Sequence, residues 1–592
     1  NLAAHVLAAW VLFLLLLRAL PLAARGLSPT STLLLALASA LAWAVHPLNT
    51  EAVTYLIQRC EVFMGLFFLL TLYLALAGWR SPRPEGWHAA AVGAAFLGMG
   101  SKEVMVTAPL AVLAMDWVFQ GRRPLKAMKE SPLLYGGLAA SWGVLAVLWF
   151  TAPPSMPMEP FSRESMGRFH YLLTQPEILF HYLRLAVWPH PLVFNYMWKP
   201  ASLPGALVPA AGMTAILVLS AWGLLRRNPL GFVGVFFFLV LAPSSSFVPL
   251  TIAAAEHRMY LPLAAIIPAL FTLAWLLANG IPASGPLARG AGWSLALAVC
   301  LALGAATHAR NQDYQSAVSL WKDTAQKQPH HFWAINDIAA SLLMEGRTDE
   351  ALVYLDRAIA VNPDFAPALF NRAQVLKAKD RKQAAGEDFG RAASLGMARA
   401  WVALGDMEKE QGNVDKAREY YQKAAELRPG WYKPQLKLGV LAGQQGDLVQ
   451  ALRRLKKATD LGREQPEAWY NLGVALARTG QVSSAVTSYE NVLAINPNHA
   501  KALHNLGIIT AKNGDPEQAA HLFSRAVASD PSHVGARVNL GRALAMLGKA
   551  GEAAAQFEAA LSLDPDNATA RQWLARVRQT AASAGPRKAP SP

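Results

Sequence analysis

The stretch HPLNTEAVTYLIQR, residues 46–59, is the longest polar interruption in a chain that is otherwise apolar from Leu2 to about His308. On both sides of it, apolar residues come in blocks of about 16 to 22, the length that a helix needs to cross ~30 Å of hydrocarbon. Charge is costly at a membrane face and usually has a partner or a task there. The sequence therefore predicts an all-helical membrane domain in which residues 46–59 form one wall of a site at one face.

Ten apolar segments are predicted to span the membrane, and together they define a first domain over residues 1–310. One helix over residues 87–119 would be ~50 Å long, too long for a single crossing, so a hinge is expected at Ser101, Lys102 and Glu103. The predicted spans are residues 2–17, 26–45, 60–79, 87–100, 104–119, 133–151, 203–225, 230–247, 259–278 and 292–308.

Charge in the loops predicts the orientation of these spans. Every second loop along the chain belongs to one set, and this set carries eleven cations against two acids, Glu85 and Glu130. Such a cationic excess is typical of the cytoplasmic side. The other loops and the C-terminal half then lie outside, in the periplasm if the membrane is a bacterial inner membrane, or in the lumen if it is that of the endoplasmic reticulum. The cations are Arg18, Arg25, Arg80, Arg83, Arg122, Arg123, Lys126, Lys129, Arg226, Arg227 and Arg289.

Composition restricts the partners further. The net charge of +15 is explained by this orientation, and no basic stripe suits a nucleic-acid duplex, so no nucleic-acid partner is expected.

Cys60 and Cys300 lie at different predicted depths in the membrane, which argues against a disulfide. The histidines of the long outer loop lack the spacing and companion ligands of a metal site. Because the chain begins at Asn1 without a Met or a basic leader, we expect it to start inside a longer natural sequence.

Two polar clusters fall in loops predicted outside, each with a purely structural alternative. Glu51, Tyr55 and Arg59 recur at i, i+4 and i+8 and are predicted to share one helix face. Alternatively, Asn49 caps that helix and Glu51 stabilises its first turn. Lys102 and Glu103 either contribute to the site or pair with each other at the hinge.

A third cluster precedes the ninth predicted span. Glu256, His257 and Arg258 lead into Tyr260, at a position where Arg and Tyr often serve as interface anchors. Asp116 lies near the opposite end of its span and is expected to pair with the basic loop after it. Gln175 to Val187, in the long outer loop, are predicted to form an interfacial helix that is either an anchor or a lid over the site.

Taken together, the outer clusters suit chemistry at a lipid phosphate. Arg and Lys bind phosphate at headgroup level, and cations that neutralise a leaving phosphate lower the barrier to its departure. A carboxylate near the reacting carbon would deprotonate an acceptor hydroxyl. The predicted phosphate-binding residues are Arg59, Lys102, His257 and Arg258; the candidate base is Glu51; and the supporting residues are His46, Glu103, Glu256 and Tyr260.

At these positions the sequence resembles the transmembrane and tetratricopeptide repeat-containing protein O-mannosyltransferases and their bacterial relatives, within the GT-C glycosyltransferases. The residues that carry the resemblance are Asn1, His5, His46, Pro47, residues 50–53, Arg59, residues 101–103 and residues 256–262.

This resemblance implies transfer of a sugar, mannose in the family, from a polyprenyl or dolichyl phosphate to Ser or Thr hydroxyls of proteins, with inversion of the anomeric centre. It also implies that the catalytic acid lies in a loop upstream of residue 1, so that Glu51 is a substitute candidate. Whether a divalent metal assists is left open.

The C-terminal half is predicted to be a solenoid of tetratricopeptide repeats over residues 311–582. Self-similarity at a period of 34 begins at Phe332 and gives seven repeats, with a degenerate unit before them at residues 312–327. The second repeat is two residues short and has Gly396 near its end. Residues 568–580 are predicted to cap the array, and residues 583–592 to be a disordered tail. The small residue at each helix crossing is Ala351, Ala385, Ala417, Ala451, Ala485, Ala519 or Ala553.

An asparagine recurs at one position in the first helix of four repeats: Asn371, Asn471, Asn505 and Asn539. Stacked repeats would align these amides on the concave surface, where each could hydrogen-bond the backbone of an acceptor peptide. The alternative is a structural role, because Asn is common at this position in repeats of every function.

Two other functions remain open at this point. A membrane-anchored repeat scaffold for periplasmic proteins would not need ten spans with charged outer loops. A transporter or flippase of lipid-linked sugar would show polar residues through the midplane and internally repeated halves. We therefore favour a glycosyltransferase.

Overall fold

The computed structural model describes residues 1–24, 26–151, 167–245, 250, 252–279 and 286–583. Over these residues the chain is helical and contains no β-strand, which confirms the all-α prediction. It forms two compact units, Asn1–Val375 and Leu376–Pro592, so the first unit includes the beginning of the repeat array as well as the predicted membrane domain. Of the predicted tail, residues 584–592 lie outside the described residues.

Thirteen helices form the apolar part of the first unit within the described residues. They are α1 Leu2–Ala23, α2 Pro29–Ala44, α3 Thr50–Thr54, α4 Arg59–Gly78, α5 Pro84–Met99, α6 Ala108–Phe119, α7 Pro124–Glu130, α8 Pro132–Thr151, α9 Arg168–Val187, α10 Leu203–Leu225, α11 Pro229–Leu241, α12 Tyr260–Asn279 and α13 Pro286–Asp313. Short 3₁₀ turns lie at Pro47–Asn49, Leu56–Gln58, Glu103–Thr107 and Glu256–Met259.

Each of the ten predicted spans contains a helix, but not every helix has spanning length. Among the described residues, six helices are long and apolar enough to cross a membrane, or eight if two bent helix pairs each count as one span. Helices α5 and α11 have 16 and 13 residues, fewer than the ~20 that a crossing usually needs. The predicted end of the eighth span, Phe247, lies outside the described residues. The count of ten spans therefore stays a prediction.

Residues 46–59 do not form one helix, so the prediction of a shared helix face was wrong. Helix α3 ends at Thr54, Tyr55 is extended, and α4 begins only at Arg59. The Tyr55 ring packs edge-on against Phe194 with centroids 5.2 Å apart, a tertiary contact that accompanies the break. As a result Glu51 is buried whereas Arg59 is exposed. Asn49 occupies the N-cap position of α3, but its side chain accepts no capping hydrogen bond there; its amide N–H donates to the Trp43 carbonyl at 2.7 Å.

Loops predicted to share a side of the membrane do contact one another. At one end, Thr54 donates to Asn311 and Thr307 donates to the carbonyl of Val45, both at 2.7 Å. We call this the outer end. These contacts agree with the predicted grouping of residues 46–59 with the segment after the last span, and which end faces the cytoplasm stays a prediction.

The opposite end contains the pairing expected for Asp116. Its carboxylate accepts from Arg122 Nε at 2.8 Å and from the Tyr135 hydroxyl at 2.5 Å, which confirms that expectation. At the same end, the guanidinium of Arg227 lies over the Trp117 ring, 4.5 Å from its centroid.

Fourteen helices follow one another in the described part of the repeat region, two for each repeat, as the period of 34 predicts. They are α15 Phe332–Met344 and α16 Thr348–Val361, α17 Ala366–Ala378 and α18 Lys382–Ser394, α19 Ala398–Glu410 and α20 Val414–Leu427, α21 Tyr432–Gln444 and α22 Leu448–Leu461, α23 Pro466–Arg478 and α24 Val482–Ile495, α25 Ala500–Lys512 and α26 Pro516–Ser529, and α27 Val534–Met546 and α28 Ala550–Leu563. Before them lies α14 Ala317–Lys327, and after them the capping helix α29 Ala568–Ser583.

Close helix packing explains why small residues recur in this region. All seven alanines at the helix crossings are fully buried. In four repeats a glycine of the first helix lies under an aromatic ring of the second: a Cβ on Gly473 would meet the Tyr489 ring at 2.7 Å. In most repeats the turn between the two helices has a glycine at positive φ, as at Gly346, whereas the second repeat uses Asp380 at φ 60°.

Candidate functional site

His257 lies at the centre of a buried charged cluster at the outer end of the first unit. It belongs to the 3₁₀ turn Glu256–Met259 that leads into α12, and Glu51 belongs to the first turn of α3. The Glu51 carboxylate, only 3% exposed, accepts from His257 Nδ1 at 2.7 Å and from the His257 backbone N–H at 3.1 Å. Glu51 therefore fixes both the backbone and the ring of His257.

A second carboxylate, Glu61, completes the cluster. It lies in the first turn of α4 and is 2% exposed. The ammonium group of Lys102 donates to Glu61 Oε1, and His257 Nε2 lies 3.8 Å from the same oxygen. The Lys102 side chain remains 17% exposed, so the cluster reaches the surface on that side. Because burying an isolated charge costs several kcal/mol, these four groups stabilise one another only as a set.

Glu61 was missed by the reasoning from sequence, although a signal was present. It is the only acid in the predicted span 60–79. An ionisable residue inside a span is a functional candidate by default, and this rule would have selected it.

Of the four predicted phosphate-binding residues, Lys102 and His257 lie together, because both approach the same oxygen, Glu61 Oε1. The guanidinium of Arg258 instead donates to the backbone carbonyls of Ala253 at 2.8 Å and Ile252 at 2.6 Å, and so holds the segment before the turn. Arg59 is exposed and has no hydrogen bond or ion pair with any described residue. Phosphate binding by these residues stays a prediction.

The supporting residues have mainly structural contacts. His46 Nδ1 accepts from the Leu48 backbone N–H at 3.3 Å and caps the turn Pro47–Asn49. The Tyr260 hydroxyl is paired with His5 Nδ1 at 2.8 Å, in the interior of the helix bundle. Glu103 is exposed, and Lys102 pairs with Glu61 instead, so the alternative of a Lys102–Glu103 pair at the hinge was wrong.

Glu256 belongs to a separate buried network, although it is the neighbour of His257 in sequence. Its Oε1 accepts from the Val193 backbone N–H at 2.5 Å and from the Tyr196 hydroxyl at 2.8 Å. Burial, together with the adjacent Glu256 carboxylate, raises the pKa of Tyr196. Arg310 Nη2 lies 3.8 Å from Glu256 Oε2, and Arg310 Nη1 donates to Asp323 of α14 at 2.7 Å. This network joins the turn before α12 to α13 and to the first repeat helix.

The predicted interfacial helix is longer than expected and is packed into the first unit. It begins at Arg168 rather than Gln175, and both Tyr171 and Tyr182 on it are fully buried. The Tyr182 hydroxyl accepts from the Ala255 backbone N–H at 2.8 Å, next to the cluster around His257. His181 contacts Arg184 at 3.3 Å, and its pKa is lowered to about 4 by burial and by that cation.

The four asparagines of the repeats use their amide N–H groups within the array. In three of them the partner lies 35 residues earlier: Asn371 donates to Asn336 at 3.0 Å, Asn505 lies 3.5 Å from the Tyr470 hydroxyl, and Asn539 pairs with His504 at 3.0 Å. Asn471 donates to the Glu467 carbonyl at 2.8 Å. These contacts support the structural alternative for the N–H groups, whereas binding of an acceptor peptide stays a prediction.

Within the described residues, no group of three or more His, Cys, Asp or Glu side chains could hold a metal ion.

Comparisons with known proteins identify the repeats. Tetratricopeptide repeat family models match residues 308–371, 398–431, 436–500 and 504–578. The first match begins near the end of α13 and includes α14, which supports the degenerate unit predicted before the first full repeat. The second half of the chain is thus a tetratricopeptide repeat solenoid. No curated protein matches the chain.

Solved structures of other repeat proteins are similar to parts of the chain. MamA is 27% identical, with a TM-score of 0.26, over 28% of this chain and 96% of its own. Pseudomonas aeruginosa pilF is 21% identical, with a TM-score of 0.32, over 35% of this chain and 95% of its own. YrrB, described as a tetratricopeptide repeat protein with an unusual peptide-binding site, is 19% identical, with a TM-score of 0.23, over 37% of this chain and 97% of its own.

Proposed function

We propose that this protein is an integral membrane glycosyltransferase of GT-C type. It transfers a sugar, mannose by resemblance, from a polyprenyl or dolichyl phosphate to Ser or Thr hydroxyls of proteins on the extracytoplasmic side. The observation that carries the proposal is the buried cluster of Glu51, Glu61, Lys102 and His257 at one end of helices that are apolar enough to cross a membrane.

The composition of this cluster suits displacement at a sugar phosphate. A lipid phosphate is the leaving group, so a cation close to it stabilises the charge that grows as the bond breaks. Lys102 is the partly exposed cation of the cluster and could reach such a phosphate as a point charge. A carboxylate beside the anomeric carbon would take the proton of the acceptor hydroxyl.

The repeat array supplies a second function that the reaction needs. Tetratricopeptide repeats form extended concave surfaces that bind peptides and proteins. In the proposed function, such an array would bind the acceptor protein. Within the first unit, α14 contacts the apolar part, since Lys327 donates to the Leu192 carbonyl at 2.7 Å and Asp323 pairs with Arg310.

The test is a transfer assay with the full-length protein in membranes, labelled polyprenyl phosphate mannose and a mixture of secreted proteins. We expect label on protein, and we expect Lys102→Ala to reduce donor use at least tenfold, the loss of about 1.5–3 kcal/mol of charge-assisted hydrogen bonding. The matched control is Lys126→Ala, a cation 68% exposed at the opposite end, which should leave transfer unchanged. Absence of transfer with mannose, glucose and N-acetylglucosamine donors alike would remove the proposal.

A membrane-anchored scaffold for extracytoplasmic proteins is the second candidate, and the family matches to the repeats favour it. A scaffold would retain its protein partners when the charged cluster is neutralised. In the scaffold case, Lys102→Ala would change neither partner recovery nor any phenotype of the cell, whereas a glycosyltransferase variant would lose glycosylation of its acceptors.

A further inference from the structure

We infer that a polar cleft in the first unit is a binding site for a hexose, separate from the charged cluster around His257. The cleft lies between α9, residues 191–201 and the end of α14, and its volume is about 470 Å³. Small-molecule sites usually measure ~300–1,000 Å³ and combine apolar surface with a few convergent polar groups. The four residues of the charged cluster lie outside its lining. Such a site goes beyond the proposed function and can bind its ligand whether or not transfer occurs.

One wall of the cleft is a cluster of three rings. The His181 ring packs edge-on against Tyr196 and Trp198, with centroids 5.0 and 5.1 Å away. Tyr196 is only 7% exposed and its hydroxyl is bonded to Glu256, whereas Trp198 is half-buried. Trp198 therefore offers an aromatic platform on which the C–H groups of a sugar ring can pack, because the face of an aromatic ring is negative.

His181 also gives the cleft a buried hydrogen-bond donor. Its Nδ1 accepts from Arg184 Nη2 at 3.3 Å. Since burial and that cation lower the pKa of His181 to about 4, the ring is neutral at pH 7 and carries its proton on Nε2. Nε2 is buried and forms no hydrogen bond with any described residue. Buried polar groups without a partner are rare in folded proteins, so we expect an acceptor, such as a sugar hydroxyl, at this N–H.

The other polar groups that line the cleft have nearly balanced charge. Glu177 and Lys199 are exposed and have no hydrogen bond or ion pair with any described residue. Lys327 also lines the cleft, but its charge is balanced by Asp323 at 2.7 Å. The side-chain oxygen of Gln328 accepts from a backbone N–H at 3.0 Å, which leaves its NH₂ group available to a ligand. With one carboxylate and one ammonium group remaining, the cleft favours a neutral ligand with many hydroxyl groups, which is the chemistry of a hexose.

A peptide is the alternative ligand for a cleft with aromatic walls. Proline-rich peptides bind in grooves lined by aromatic rings. Here Tyr196 is buried, so it cannot form a second ridge beside Trp198. A single platform suits one sugar ring better than an extended peptide.

The experiment measures binding without transfer. The probes are the methyl α-glycosides of mannose, glucose and galactose, added to the detergent-solubilised full-length protein and followed by saturation-transfer NMR. We expect at least one glycoside to receive saturation at its C–H protons, and Trp198→Ala to raise its Kd by about tenfold or more through loss of the aromatic contact. The matched control is Trp188→Ala, which should keep the wild-type Kd, since Trp188 is 68% exposed and does not line the cleft.

Two competitors that carry the same hexose distinguish the source of the sugar. If a glycosylated serine peptide displaces the glycoside and its unmodified form does not, the cleft binds sugar that is attached to protein. Displacement by the polyprenyl phosphate sugar, and not by the glycosylated peptide, would assign the cleft to sugar that is attached to lipid.

Three results would overturn the hexose site: no saturation of any glycoside, an unchanged Kd in Trp198→Ala, or an unmodified peptide that binds as tightly as the glycosylated one. If Trp198→Ala does not fold, Lys199→Ala decides, because that side chain is exposed and has no described partner. Its Kd should rise by about threefold, the loss of one hydrogen bond, and an unchanged Kd would again overturn the site. Absence of sugar transfer by the wild-type protein would count against the proposed function alone.

Discussion

The cluster around His257 brings together two buried carboxylates, one imidazole and the ammonium group of Lys102. Glu51 contacts Nδ1 of the imidazole, and Glu61 Oε1 lies on the side of Nε2. Lys102 donates to that same oxygen of Glu61. Removing one member of such a set leaves a buried charge without compensation, which typically costs 3–5 kcal/mol. Amide substitutions, which keep a hydrogen bond, are for this reason the informative ones at Glu51 and Glu61.

At the same scale, single glycines of the repeats test the packing of each helix pair. An added Cβ at Gly473 would meet the Tyr489 ring at 2.7 Å, whereas at Gly551 it would meet nothing within 4 Å. Both residues lie in helices, so both changes to alanine gain about 0.5–1 kcal/mol of helix propensity. Overpacking costs ~1–3 kcal/mol and applies only to the first.

We therefore expect Gly473→Ala to lower, and Gly551→Ala to raise, the urea midpoint for unfolding of the second unit, followed by circular dichroism. Equal shifts in the two variants would show that the ring of Tyr489 does not constrain that helix crossing.

At the scale of elements, the sequence predicted the helices well and the contacts between distant segments poorly. The recurring alanines and the period of 34 predicted the two helices of each repeat, because every repeat of such an array buries an equivalent face. The pairing of Glu61 with Lys102 joins two helices whose contact depends on how the whole bundle packs. The same holds for the break at Tyr55, where packing on Phe194 accompanies an interruption that local helix propensity does not predict.

The joint between α13 and α14 is an element whose stability can be measured. Arg310 is 4% exposed and donates to Asp323 at 2.7 Å and to Asp313 at 3.0 Å, with Glu256 at 3.8 Å. We expect Arg310→Ala to destabilise the first unit by about 3–5 kcal/mol, because it leaves the buried carboxylate of Glu256 without its cation. Thermal unfolding of the detergent-solubilised protein would measure this loss.

The control for that measurement is Arg571→Ala. This arginine is 65% exposed and its ion pair is at the surface, so its removal should cost at most about 1 kcal/mol. If the two variants unfold at the same temperature, the buried network at α13 contributes nothing to the fold.

At the scale of the whole molecule, the proposed function depends on two ends of a helix bundle that face different compartments. Exposed Arg59 lies near the cluster in sequence, and exposed Lys126 lies in α7 near the paired Asp116 at the opposite end. Eleven loop cations predict that the end with Lys126 faces the cytoplasm. A membrane-impermeant thiol reagent can show which side of the membrane each end faces, once Cys60 and Cys300 have been replaced by serine.

In that background, Arg59→Cys should be labelled in intact cells or spheroplasts, and Lys126→Cys only after the membrane has been permeabilised. Both side chains are at the surface in the structure. A failure to label would therefore mean that the membrane, and not the fold, keeps the reagent from the cysteine. Labelling of both positions from the same side would overturn the orientation and, with it, the placement of the charged cluster on the extracytoplasmic side. A reversed pattern would move the cluster to the cytoplasmic face, where it could not act on translocated proteins.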